Sequence, residues 1–219
     1  MTTYTQLVAD VVLATSRPDL VAAGDIDLAI RRATLKLHSM AFWPMDLAEG
    51  VVTFKDNTTN LQTMNIDIEF PQFRAIKYIR ENLSNAMAAG AIPPLQPYQY
   101  YYSYPYSTQN YFTKMEPDAV LDEYNVTKAN IWYLGGRNIN LNCRTAIGSV
   151  SVGWYQYPIV TATNFKSWLA DAYPMAVTDE AARMIFKSTG YLDLAKAYDD
   201  ICMEHHQILM TNFVDGEGR

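Results

Sequence analysis

The 219-residue chain is short of cysteine, of charge and of long apolar runs, and each shortage excludes a class of protein. Two cysteines, Cys143 and Cys202, stand far apart and cannot build a disulfide scaffold. Buried thiols in a reducing compartment are the expectation. No apolar stretch approaches the ~18 residues of a membrane-spanning helix. Met1-Thr2-Thr3-Tyr4 has no basic region and Asp10 interrupts the apolar stretch behind it, so no secretory signal is expected. Without secretion, the sequons Asn82-Leu83-Ser84 and Asn125-Val126-Thr127 carry no meaning. The 17 Lys and Arg form no run and are outnumbered by 23 Asp and Glu, for a net charge of −6. Stable binding through phosphate contacts is therefore not expected, whereas DNA could pass nearby without sticking.

Catalytic signatures are missing as well. There is no Gly-x-Ser-x-Gly elbow, no His-Glu-x-x-His and no phosphate loop. Asp199 and Asp200 are helical neighbours that point to different sides. Cys202 and His206 share a helix face at i, i+4, but zinc needs at least two further ligands, and outside this segment the only histidine is His38. An acid pair drawn from distant strands, as in a small glycan-cleaving enzyme, stays open. The expectation is a protein without catalytic residues, cofactor or metal.

What is present points to folding and assembly. Hydrophobic residues make up 49% of the chain against 18% charged, enough to bury a core in one large domain or two small ones. Leu7, Val8, Val11 and Val12 form a helical stripe, and Arg17-Pro18 ends that helix. Asp25 can cap a second helix with Ile26, Ile30, Ala33 and Leu37 inward and Arg31, Arg32 and Lys36 outward. From about Val51 to Val160 the pattern is that of strands. Val51–Phe54, Leu61–Phe70 and Phe73–Ile79 are candidates, the last with Phe73, Ala75, Lys77 and Ile79 on one face. A hairpin is expected from Ile131 through Gly135-Gly136 to Ile139, Leu141 and Cys143, with Asn138, Asn140 and Asn142 on its wet face. Val150, Val152 and Trp154 alternate in the same way. Helices return after Asn164, a cap for a short helix through Phe165, Trp168 and Leu169, and again after Thr178, with Asp179 and Glu180 in the first turn and Gly190 as breaker. The longest helix runs from about Tyr191 to Asn212, with Leu194, Tyr198, Ile201, His205 and Ile208 as its buried stripe.

The fold class expected is α+β: a discontinuous helical bundle from residues 1–47 and 162–213, with an inserted antiparallel β-sheet or sandwich over 48–161 and a loose tail over 214–219. The bundle should centre on Leu7, Val11, Ile30, Leu37, Tyr198, Ile201 and Ile208. Within the β region, residues 93–112 form a Tyr- and Pro-rich arm, since proline excludes helix and central strand. Its seven tyrosines, Tyr98 to Tyr111, suit an interface or a sugar-binding loop. Tyr101, Tyr102 and Tyr104 are the candidate anchors, and Phe213 and Val214 are candidate contacts at the C-terminal end.

Tyr4-Thr5-Gln6-Leu7-Val8-Ala9-Asp10-Val11, Arg17-Pro18-Asp19-Leu20, Ile30 to His38 and Phe42-Trp43-Pro44-Met45-Asp46-Leu47 resemble the head-to-tail adaptor (connector) proteins of tailed bacteriophages. The resemblance covers the first fifty residues and the helix–sheet–helix order; the tyrosine arm is outside it. It implies a structural virion protein: a dodecameric ring between portal and tail or nozzle protein, made of neighbouring copies of the chain, that conducts DNA during genome ejection without binding it specifically. It also implies assembly from the host cytoplasm, no membrane partner and a C-terminal segment that docks on the portal. The alternative is a carbohydrate-binding β-sandwich module that uses the tyrosine loop.

Overall fold

The computed structural model describes residues 3–22, 24–56, 58–81, 111–121 and 126–213. The protein is mixed α+β and divides into two compact units, residues 1–47 with 157–219, and residues 48–156. Of the expected contacts, Tyr101, Tyr102, Tyr104 and Val214 lie outside the described residues, and Phe213 is the last residue of the final helix.

In the first unit, α1 (Tyr4–Thr15) starts on a capping box: the Thr3 hydroxyl accepts from the Gln6 N–H and the Gln6 side chain accepts from the Thr3 N–H. Ser16, in the left-handed conformation, ends it before Pro18. A short α2 (Asp19–Ala22) leads to α3 (Asp25–Ser39). Asp25 does not cap α3. Gly24 holds that position with φ 75°, and Asp25 and Asp27 instead sit in the first turn, where negative charge favours the helix dipole. Leu7, Val11, Ile26, Ile30, Ala33 and Leu37 are buried, and they share one core with Trp43, Leu169, Val177, Ala181, Ile185 and Leu209 from later in the chain. Helices from both ends of the sequence thus close a single core.

Residues 157–219 depart from the sequence reading at three places. Asn164 does not cap a helix: Phe165–Lys166 (β9) pairs antiparallel with Ile159–Val160 (β8), and Ser167 is the cap of α5 (Trp168–Ala172) through a bond from the Ala170 N–H. Thr178 is no cap either. Helix α6 (Pro174–Thr189) begins with Pro174, whose fixed φ suits a first turn, so Thr178, Asp179 and Glu180 lie inside it and are buried. Gly190 does stop the helix, with φ 84°. The final helix α7 (Leu192–Phe213) buries Ala195, Cys202 and Leu209, whereas Leu194, Ile201 and Ile208 are exposed and Tyr198 and His205 are half-buried. The expected buried stripe is therefore rotated. The helix carries two seven-residue apolar repeats side by side, and packing on α6 selected the slimmer one.

In the second unit, β1 (Leu47–Thr53), β7 (Ser149–Gln156) and β3 (Phe73–Glu81) make one sheet with β7 central. The other sheet has the order β2 (Leu61–Asn65), β6 (Asn138–Asn142), β5 (Ile131–Gly135), β4 (Thr113–Lys114). Val52, Ile79, Val150 and Val152 of the first share a core with Met64, Trp132, Ile139 and Leu141 of the second. The β5–β6 hairpin runs as expected, with the positive φ at Gly136 (64°) alone. Asn142 is buried rather than wet, and its amide donates to the Lys128 carbonyl. Three further expectations fail. Leu61–Phe70 is strand only to Asn65, whose side chain caps the helical turn α4 (Ile66–Glu69). Strand β3 does not alternate cleanly, because register shifts break it between Phe73 and Ala75 and between Ile76 and Tyr78. The sheet is not wholly antiparallel, since β4 and β5 run parallel. At the end of the tyrosine-rich segment, Phe112 is buried in the core and Tyr111 packs edge-on against Tyr78 at 6.0 Å.

The rotated stripe of α7 separates two otherwise similar substitutions. Leu209→Ala should cost about 2–5 kcal/mol, whereas Ile201→Ala should cost less than ~1 kcal/mol because the side chain is already 40% exposed. Thermal and urea melts of the two variants check this.

Candidate functional site

The densest chemistry lies among α3, α6 and α7. Glu180 is fully buried in α6. Its Oε1 accepts from Lys36 Nζ of α3 at 2.8 Å and from the Arg183 guanidinium one turn along α6. Its Oε2 faces His206 Nε2 of α7 at 3.4 Å. Arg183 continues to Asp199 of α7 at 2.6 Å, and Lys187 joins Asp199 at 3.0 Å. One turn away, His205 Nε2 meets Asp179 Oδ2 at 2.9 Å. Burial alone would push the Glu180 carboxyl up, but the nearby His206 and the bonds from Lys36 and Arg183 outweigh it and hold the pKa down at about 2. Lys36 thus faces a buried acid on its own protein rather than a partner. Burial, reinforced by Glu180, pushes the neighbouring Cys202 thiol up to about 12.

A second polar group ties α3 to α5. His38 Nδ1 lies 2.9 Å from both oxygens of Asp46, in the 3-10 turn Pro44–Asp46, and His38 Nε2 lies 2.9 Å from Ser167 Oγ. With the proton on Nδ1, the imidazole donates to the carboxylate and accepts the serine hydroxyl, as the Asp46 carboxylate requires. Asp46 also accepts from Trp168 Nε1 at 2.8 Å. This is the residue set of a nucleophilic triad, and it was not legible in the sequence because its members are 8 and 129 positions apart. Its setting is that of a tie. Ser167 is 6% exposed, and its Oγ already accepts the Ala170 N–H that starts α5. The same segment explains part of the Phe42–Leu47 motif: Trp43 is fully buried and donates to the Leu37 carbonyl, while Phe42 and Met45 point outward at 52% and 59% exposure.

Cys143 and Cys202 are both buried and unpaired, and burial pushes the Cys143 thiol up to about 11. Among the described residues no group of three or more His, Cys, Asp or Glu is arranged to hold a metal ion, and no helix is long and apolar enough to cross a membrane.

What remains is surface. Large apolar side chains stand out along the helical unit: Leu28 of α3, and Leu194, Ile201, Met203 and Ile208 of α7. On α7, Leu194, Ile201 and Ile208 recur every seven residues and so lie on one side of the helix.

Three outcomes follow from the buried groups. Because the folded Glu180 pKa lies below the ordinary 4.5, its stabilisation is complete above that value and disappears as pH falls toward 2. Acid unfolding of wild type, followed by circular dichroism, should steepen in that window. Glu180→Gln should lower stability at pH 7 by roughly 3 kcal/mol and flatten the window. In thiol labelling at pH 8, both cysteines should react only as fast as the protein opens, with rates that rise with urea. Compared with known proteins, no family model and no curated protein sequence matches this chain.

Proposed function

We propose that the chain is a structural virion protein, a head-to-tail adaptor whose copies form a ring between portal and tail. In this reading the helical unit is a discontinuous bundle that builds the ring, and the β unit is an insertion available to the tail side. The observation that carries it is the shared core of α1, α3, α6 and α7: segments from the two ends of the sequence close one helical body whose core, among the described residues, draws none from the 48–156 unit. A module built only to bind sugar needs a sandwich and not this body. The same body offers apolar side chains on its outside, and a ring subunit must bury such side chains against neighbours. The net charge of −6 suits a conduit, since a basic lumen would hold DNA during ejection.

The polar groups fit a scaffold role. The Glu180 cluster and the His38–Asp46–Ser167 line both lie inside the helical unit, where they fix the register of α3, α5, α6 and α7. Phe213 ends α7, and the sequence that follows it, with Val214, Gly216 and Gly218, has a composition suited to docking on the portal.

The test is incubation of the purified chain with portal rings, followed by sedimentation and electron microscopy. A ring of density below the portal is expected, and removal of residues 213–219 should weaken that binding by about tenfold or more. Absence of portal binding, together with retention on an oligosaccharide array that Tyr101→Ala/Tyr102→Ala abolishes, would replace this reading with the sugar-binding one.

A further inference from the structure

The helical unit has two outward faces that complement each other. On α7, Leu194, Ile201 and Ile208 recur every seven residues and form one stripe, exposed at 49%, 40% and 39%. Asp193, Asp200 and Glu204 run beside that stripe on its solvent side, all exposed. On α3, Leu28 (43% exposed) and the half-buried Leu35 are also seven apart and sit opposite the buried Ile26, Ile30 and Leu37. Arg31 and Arg32 flank them, both exposed. Among the described residues, none of these five charged side chains makes an ion pair or a hydrogen bond within the chain. Their neighbours Lys36, Arg183, Lys187 and Asp199 do. Helices α3 and α7 each pack on α6, so both faces belong to one body, and both are exposed among the described residues.

We propose that the Leu194/Ile201/Ile208 stripe of α7 docks on the Leu28/Leu35 face of α3 in a second copy of this chain, with Asp193, Asp200 and Glu204 set against Arg31 and Arg32. Charge decides the occupant. Two α7 stripes face to face would place acid on acid, and two α3 faces would set Arg31 and Arg32 against each other with Asp25 alone, in the first turn, to offset them, so a two-fold pairing of either face is disfavoured. Unlike faces attract, and a contact between unlike faces leaves each copy with one free donor face and one free acceptor face. Such a head-to-tail contact propagates, and it closes into a ring when the rotation per copy allows. The apolar stripes supply the buried area and the charged rims supply register and direction. The inference deepens the ring reading above, on which its biological setting rests, but the contact itself can be tested without portal or tail.

The full-length chain is followed by sedimentation and native mass spectrometry from micromolar to millimolar concentration. Three samples are compared with wild type: Arg31→Glu/Arg32→Glu, Asp200→Lys/Glu204→Lys, and an equimolar mixture of the two. Wild type should assemble beyond a dimer, and less so as salt is raised. Each variant alone should need at least about tenfold more protein to assemble, since one of its faces now repels the other. The mixture should recover assembly, because the acidic α3 of one variant matches the basic α7 of the other. The altered side chains are exposed, so melting curves should be unchanged. Should either variant prove unfolded, Ile201→Ser replaces it and should weaken assembly in the same way. The proposal is overturned by a wild type that stays monomeric throughout, by variants that assemble as wild type does, by a mixture that does not recover, or by α7 reversal that strengthens assembly. Portal binding with charge-indifferent assembly would sink this surface alone. Assembly as described, without portal binding, would sink the adaptor reading and leave the surface standing.

Discussion

The helical unit depends on one buried carboxylate. Glu180 has no solvent of its own, and an uncompensated charge there would cost more than the unit could sustain. Its compensation comes from three directions: Lys36 on α3, Arg183 on its own helix and His206 on α7. The bond from Lys36 fixes the azimuth of α3 against α6, and Arg183, which bridges Glu180 to Asp199, ties α7 to the same group. Apolar packing alone would tolerate sliding among the alanines and aliphatic residues of that core. A charged network tolerates much less.

That constraint has a consequence on the outside. Holding His206 toward Glu180 and His205 toward Asp179 turns Ala195, Cys202 and Leu209 inward and leaves Leu194, Ile201 and Ile208 at the edge. These polar contacts and the packing of Ala195, Cys202 and Leu209 on α6 agree on one rotation of α7, which leaves the more hydrophobic of its two stripes exposed. The tie through His38, Asp46 and Ser167 acts similarly at the other end of α3. It anchors Trp43 and α5, and it keeps the α3 face that bears Leu28, Arg31 and Arg32 turned outward. The rigidity of the helices carries the interior electrostatics through to the choice of which side chains face outward.

Much of the architecture was legible from local pattern. The α1 and α3 stripes, the β5–β6 hairpin and the stop at Gly190 depend on periodicity and turn chemistry, which act over a few residues. Readings failed where two local patterns competed. Asn65 offered a strand residue and a cap, and the cap prevailed. Thr178-Asp179-Glu180 has the composition of a helix start, but Pro174 begins the helix a turn earlier and the acids become interior. On α7 the larger side chains suggested the wrong face, since periodicity ranks residues by size and apolarity and is blind to a buried glutamate on another helix. The parallel pairing of β4 with β5 and the register shifts in β3 likewise depend on neighbours distant in sequence.

The sequence by itself determined that the chain folds as helices and strands in the order helix, sheet, helix, that its two cysteines could not scaffold it, and that its net charge is negative with no run of Lys or Arg. These properties are sums or short-range patterns over the residues. Only the tertiary structure decided that Lys36, Glu180, Arg183 and His206 form one network, that His38 meets both Asp46 and Ser167, and which face of α7 remains open. Each of these joins residues far apart in the chain, and burial gives a charge or a hydroxyl a role that its composition alone does not carry.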